Sequence, residues 1–303
     1  MAGRIITDTT EFCNIDHGDI IQIGDKRYMV IRNEQERRFG MDDPKYWVKR
    51  CEDLDTGEKK ILKLTFLETF KITIGGVRIR CFRNPKKEED ILKLVKDHPY
   101  FMHGTSLRDE KENIIRVLDI VSGSNFFTYI DSFSMGHETY FNTMLPDILQ
   151  KLIKAFEAIR FLHLNRFRHG DIRNDHIIVE RDTGNYVWID FDFDFDAVEN
   201  PFSLDIFGLG NILLYALGKG FHNLHMIMND RMIYGDLIDR LEPGDFSLLD
   251  KWRLVNLKKI YPYFPTLLND ILMHFSAGAG IYYEAVDEII EDLNRCMYLI
   301  FRK

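Results

Sequence analysis

Between Leu145 and Leu164 the apolar residues Ile148, Leu149, Leu152, Ile153, Phe156, Ile159 and Leu162 recur every three or four positions. That spacing predicts an amphipathic helix. Nearer the N-terminus the pattern alternates instead. Residues Asp19 to Ile31 surround Gly24-Asp25, and Tyr46 to Cys51 and Lys60 to Phe66 flank Asp55-Thr56-Gly57, so both stretches predict hairpins. Asn113 to Val121 and Asn125 to Ile130, split by Ser122-Gly123-Ser124, predict a third. One helix interrupts the strands, from about Lys86 to Lys96. Glu88, Glu89 and Asp90 occupy its first turn, Ile91, Leu92, Leu94 and Val95 form its apolar face, and His98-Pro99 ends it. Further helices are expected at Leu254 to Lys259, Pro265 to Phe275 and Tyr283 to Ile300. A strand-rich part followed by a helical part makes this an α+β chain.

The chain has 303 residues, 45% of them hydrophobic, enough to bury one large domain or two lobes. Its net charge of −8 argues against general nucleic-acid binding. The longest apolar runs, such as Ile212 to Leu217, fall far short of the roughly 20 residues of a membrane helix, so no membrane partner is expected. Met1 to Asp8 lacks the apolar core of a signal peptide. Cys13, Cys51, Cys81 and Cys296 form no metal-type pair. A reducing, cytoplasmic setting is the expectation.

Candidate chemistry concentrates in one stretch, Arg168-His169-Gly170-Asp171-Ile172-Arg173-Asn174-Asp175-His176-Ile177-Ile178-Val179, followed by Val187-Trp188-Ile189-Asp190-Phe191-Asp192. Two apolar runs flank a polar segment and each delivers an aspartate to its edge, which suits a charged ligand and a metal. From Ile189 to Asp196 aspartates alternate with phenylalanines; if extended, Asp190, Asp192, Asp194 and Asp196 all face one way. Such a row requires a divalent cation or basic neighbours. Lys63 lies inside an apolar run, as either an edge-strand surface lysine or a phosphate ligand. Lys71 to Lys87 contains six basic and no acidic residues, either a solvated face or a receptor for an acidic group.

His169-Gly170-Asp171 with His176 five residues on, then Asp190-Phe191-Asp192, resembles the catalytic loop and metal motif of the protein-kinase fold, His-x-Asp-(x)4-Asn and Asp-Phe-Gly. Ser203 to Gly218 resembles that family's Asp-x-Trp-Ser-x-Gly helix, with Asp205 as the loop anchor, and Phe161-Leu162-His163 resembles the end of the preceding helix. The resemblance spans roughly Tyr28 to Leu293. It implies a bilobal fold: residues 1–18 an N-terminal extension, 19–131 an antiparallel β-sheet N-lobe with one helix, and 132–303 a mostly helical C-lobe. It implies ATP with Mg²⁺ or Mn²⁺ as cofactors, and a protein substrate or partner. Lys63 and Glu89 would hold the phosphates, Glu89 being preferred to Glu88 by counting back from His98-Pro99. The adenine hinge would fall near Ile130 to Ser134, with Ile130 and Asp131 against the nucleotide. Asp190 would hold the metal, with His176 and Asp192 as further ligands. Asp171 would accept the proton of the attacking hydroxyl and Arg173 would touch the transferred phosphate.

Several positions depart from that pattern. His176 stands at the asparagine; imidazole suits Mg²⁺ poorly and accepts Mn²⁺ or Zn²⁺ better, while the competing reading is a structural histidine bonded to a backbone carbonyl. Asp192 stands at the glycine of Asp-Phe-Gly. Gly170 replaces an arginine, giving the His-Gly-Asp of aminoglycoside- and choline-type phosphotransferases. The glycine-rich loop is reduced to one glycine within Asn33 to Met41. Ala-Pro-Glu is absent and Ile281 occupies its partner arginine's position, so the peptide platform is remodelled. Three functions are in view: an active Ser/Thr-type protein kinase, a pseudokinase serving as a nucleotide-binding or scaffold module, and a small-molecule kinase.

Overall fold

Alternating side chains in the first third of the chain produce a seven-stranded sheet. The computed structural model describes residues 3–38, 41–74, 76–196 and 199–301. In chain order the first elements are β1 (Ile5–Ile6), β2 (Ile20–Ile23), β3 (Lys26–Arg38), β4 (Met41–Asp53), β5 (Lys59–Lys63), β6 (Thr69–Ile74), β7 (Val77–Arg83), helix α1 (Pro85–Leu94), β8 (Gly104–Arg108) and β9 (Ile114–Asp119). The sheet runs β1-β2-β3-β4-β5-β9-β8, and every neighbouring pair except β1 and β2 is antiparallel. Its buried face gathers Ile21, Ile23, Tyr28, Val30, Cys51, Leu62, Ile115 and Val117. Asn84 caps α1 by accepting the Lys87 N–H at 3.0 Å, with Pro85 in the first turn. Residues 39 and 40, within the segment that holds the lone glycine, lie outside the described residues.

The chain divides into two units. The first comprises Met1–Thr69, Phe82–Ser122 and Phe191–Asp194; the second comprises Phe70–Cys81, Gly123–Asp190 and Phe195–Lys303. Two boundaries differ from expectation. The first 18 residues are not a separate extension: β1 pairs with β2, and the Arg4 guanidinium donates to Asp19 at 3.1 Å. The first long segment closes at Ser122 rather than at residue 131.

The second unit contains β10 (Gly123–Asn125), α2 (Phe126–Asp131), α3 (His137–Thr143), α4 (Leu145–Leu164), β11 (Ile177–Glu180), β12 (Tyr186–Trp188), the end of β13 (Phe193–Phe195), α5 (Ser203–Gly218), α6 (Leu224–Asn229), α7 (Arg231–Tyr234), α8 (Thr266–Met273) and α9 (Val286–Cys296). Helix α4 buries Ile148, Leu149, Leu152, Phe156 and Ile159, the face its periodicity predicts. Helix α5 is buried along most of its length. The expected third hairpin does not form. Strand β9 pairs with β5 and β8 instead, and 126–131 is helical. Asn125 caps that helix by accepting the Thr128 N–H at 2.8 Å, and Phe126 and Ile130, four apart, are both buried. A six-residue segment with apolar side chains at 126, 127, 129 and 130 is ambiguous between the two periods, and the cap decides it. Among the described residues, no helix is long and apolar enough to cross a membrane.

Candidate functional site

The polar segment between α4 and β11 is held by one buried carboxylate. Asp205, in the first turn of α5 and fully buried, accepts the backbone N–H of His169 at 2.7 Å and of Gly170 at 2.8 Å, and it lies 3.0 Å from His163 Nε2. Burial by itself would raise this carboxyl; the hydrogen bond and charge of His163 and the loop amide outweigh it and hold Asp205 below the usual range. Gly170 has φ +89°, a conformation glycine adopts without steric cost. Gly208 of α5 lets the loop lie against the helix: a Cβ there would stand 2.6 Å from the Cβ of Ile172.

Around this anchor three titratable side chains meet. His176 Nδ1 lies 2.7 Å from the carbonyl oxygen of Asp171 and 3.5 Å from its carboxylate, and His176 Nε2 lies 3.5 Å from the Asp190 carboxylate. The ring is nearly enclosed, at 6% exposure, whereas the Asp171 and Asp190 side chains keep 21% and 22%. The Ile189 N–H donates to the His176 carbonyl at 3.0 Å, which fixes Asp190 relative to the loop. Asp190 has φ +65°, a left-handed conformation that costs a non-glycine residue about 1–3 kcal/mol and persists only where its surroundings impose it. Burial pushes the Asp171 carboxyl up; His176 and Arg173 oppose that shift, and Asp190 adds to it. A carboxylate of raised basicity is suited to accept a proton. Arg173 donates to Asp175 at 3.0 Å, and both side chains are more than 40% exposed. Among the expected catalytic residues, the structure therefore brings Asp171 into the group and places Arg173 in a surface ion pair.

The alternation beyond Asp190 does not continue as a strand. Asp190 is left-handed and only Phe193–Phe195 is extended, so the four aspartates do not share a face. Asp192 is instead a buried anion within the first unit. Its carboxylate accepts from Arg83 Nη1 at 2.9 and 3.0 Å and lies 3.3 Å from Lys63 Nζ. Asp192, expected as a metal ligand, is here engaged by a guanidinium and an ammonium.

Lys63 ends β5 and is 4% exposed, which removes the surface reading. Its ammonium donates to Glu88 at 2.9 Å. The expected partner, Glu89, points elsewhere, accepting from Arg108 at 2.8 Å and Lys93 at 3.1 Å. A helix turns about 100° per residue, so the count from His98-Pro99 falls one position late. Arg116, 1% exposed on β9, donates to the other Glu88 oxygen at 2.9 Å. Sequence reasoning missed Arg116. Its signal was the same as that of Lys63, a charge inside an apolar strand, Ile114-Ile115-Arg116-Val117-Leu118.

Two expected nucleotide contacts are also displaced. Ile130 is fully buried inside α2 and Asp131 ends that helix, so neither lies in an extended hinge. As for a metal, Asp190 and His176 offer one oxygen and one nitrogen donor side by side, which fits a single divalent ion completed by ligand or water oxygens. Among the described residues, no group of three or more His, Cys, Asp or Glu is arranged to hold a metal by itself. No protein-family model matches the chain, and no curated protein matches it.

Proposed function

We propose that this chain is an ATP-dependent phosphotransferase, a divergent Ser/Thr-type protein kinase with a bilobal fold that moves the γ-phosphate to a hydroxyl. The observation that carries the reading is the grouping of Asp171 and Asp190 about His176, each carboxylate 3.5 Å from a ring nitrogen, on a loop pinned by Asp205. Supporting it, Lys63 and Glu88 form a buried ion pair of the kind the kinase resemblance requires, with Glu88 in place of Glu89.

Bound ATP supplies the phosphoryl group, and its divalent ion offsets the phosphate charge. Asp171 accepts the hydrogen bond of the acceptor hydroxyl and orients its oxygen toward the γ-phosphorus. As the new O–P bond forms, the bond to the β,γ-bridging oxygen breaks, ADP departs, and the hydroxyl proton passes to Asp171 and then to water. Asp190 and His176 would hold that ion, which would offset charge on the phosphates. The kinase resemblance would give Lys63 the phosphates, and Asp205 acts through the loop by fixing its amides. Gly170, immediately before Asp171, stands where the kinase resemblance has the arginine that reads a phosphorylated activation segment.

One observation favours a second reading, a pseudokinase scaffold. The Lys63 ammonium is already held by two carboxylates, Glu88 at 2.9 Å and Asp192 at 3.3 Å, so a nucleotide phosphate must compete for it. Thermal denaturation with millimolar ATP plus Mg²⁺ or Mn²⁺ separates the two. A rise in melting temperature together with label transfer from γ-labelled ATP, abolished in Asp171→Ala and Asp190→Ala, establishes the enzyme. Stabilisation without transfer establishes the scaffold.

A further inference from the structure

The identity of residue 176 carries the phosphotransferase reading one step further, to the class of metal. A carbonyl oxygen only accepts hydrogen bonds, so the 2.7 Å approach of His176 Nδ1 to the Asp171 carbonyl places the ring hydrogen on Nδ1 and, in the neutral ring, the lone pair on Nε2. That nitrogen is 3.5 Å from an Asp190 oxygen. The gap is longer than an N–H···O hydrogen bond of about 2.7–3.2 Å. It does match two donors on one ion: metal bonds of about 2.0–2.2 Å, opened at 90–110°, separate the donor atoms by about 3.0–3.5 Å.

The surrounding groups narrow the assignment. Asp171 lies on the Nδ1 side of the ring, and Asp192 is engaged by Arg83 and Lys63. Asp175 is tied to Arg173. The protein donors next to one another are thus one imidazole nitrogen and one carboxylate oxygen. Mg²⁺ favours oxygen and water, whereas an imidazole raises affinity for first-row transition ions, increasingly from Mn²⁺ to Co²⁺.

We infer that His176 Nε2 and Asp190 select a transition-metal dication, Mn²⁺ or Co²⁺, over Mg²⁺ for nucleotide binding at this site. The inference rests on the phosphotransferase reading, and one experiment keeps the two apart. Calorimetry measures the affinity of a non-hydrolysable ATP analogue for the full chain with Mg²⁺, Mn²⁺ and Co²⁺ in turn, and the Co²⁺ absorption spectrum is recorded with the analogue bound. Wild-type protein is expected to bind at least about ten-fold more tightly with Mn²⁺ and Co²⁺ than with Mg²⁺. His176→Asn is expected to bring the three ions within about three-fold and to change the Co²⁺ spectrum by replacing nitrogen with oxygen. Melting without ligand checks that the variant is folded; if it is not, the metal order and spectrum of the wild type decide alone. Equal affinity with all three ions overturns the metal preference and leaves the nucleotide reading standing, as does a Co²⁺ spectrum without a nitrogen ligand. Binding with none of them overturns both.

Discussion

Lys63 and Arg116 stand directly opposite one another on β5 and β9, and Glu88 bridges them, its two oxygens 2.9 Å from Lys63 Nζ and from Arg116 Nε. Two cations facing each other across a buried sheet repel unless an anion lies between them. The register of the sheet therefore requires an acid at residue 88 of α1.

The first prediction follows from that demand. Glu88→Gln leaves two buried cations short of an anion and should cost about 3–5 kcal/mol. Glu89→Gln should cost about 1 kcal/mol or less, because its partners Arg108 and Lys93 are substantially exposed. Urea denaturation of the two variants, side by side, checks the order. Equal costs contradict it.

Asp192 is the second anion of the same cluster. Asp192→Asn should destabilise the chain by a similar amount, about 3–5 kcal/mol, since Arg83 and Lys63 remain buried beside a neutral amide. With Arg83→Met added, the total should be clearly less than the sum of the single losses. A double-mutant cycle measured by denaturation tests the coupling.

Gly208→Ala should disturb the loop that carries Asp171. The new methyl would stand 2.6 Å from Ile172 Cβ and 3.0 Å from its carbonyl oxygen, and relieving that contact should cost about 1–3 kcal/mol. Ile172→Gly in the same chain removes both the Cβ at 2.6 Å and the Cγ2 at 2.8 Å, so the two losses should be less than additive. Additive losses in a denaturation series contradict the contact.

Acid should weaken the second unit through His137. The ring is stacked on Tyr261 with centroids 3.6 Å apart, one nitrogen 2.7 Å from the Leu217 carbonyl and the other 2.7 Å from the Tyr263 hydroxyl. Burial lowers its pKa to about 4, against the Leu217 hydrogen bond, which raises it; His222 and Lys219 add to the lowering. The unfolded chain takes up this proton near its ordinary value of about 6.5, and the folded chain only near 4. The contribution is therefore complete above pH 6.5 or so, is lost as pH falls from there to 4, and is constant below. His222, in the same unit, shifts in the same direction, so His137→Gln should flatten part of that slope. Stability measured at pH 7, 5.5 and 4 reads the difference.

Much of this was legible in the chain itself. The period of 145–164 fixed α4 and its buried face, and the motif from Ser203 placed Asp205 where it holds the loop amides. What was not legible depended on contacts distant in sequence. Glu88 and Glu89 differ by one helical step, and the choice between them is made by Lys63 and Arg116 from other strands. Asp192 reads as one of four equivalent aspartates until the left-handed turn at Asp190 breaks the alternation and Arg83 captures it. The helix at 126–131 turned on a single cap, Asn125, in a run of side chains that fits either period.

Phosphate transfer by wild-type and Asp171→Asn protein measures the central claim most directly. With γ-labelled ATP and Mg²⁺ or Mn²⁺, the account predicts label on a hydroxyl of the chain or of a protein acceptor. In the variant transfer should fall about 10²–10⁴-fold while melting is unchanged or raised, because the substitution removes a charge that burial disfavours. Transfer at the same rate in both proteins, or no transfer and no nucleotide-dependent rise in melting temperature at millimolar ATP, would contradict it.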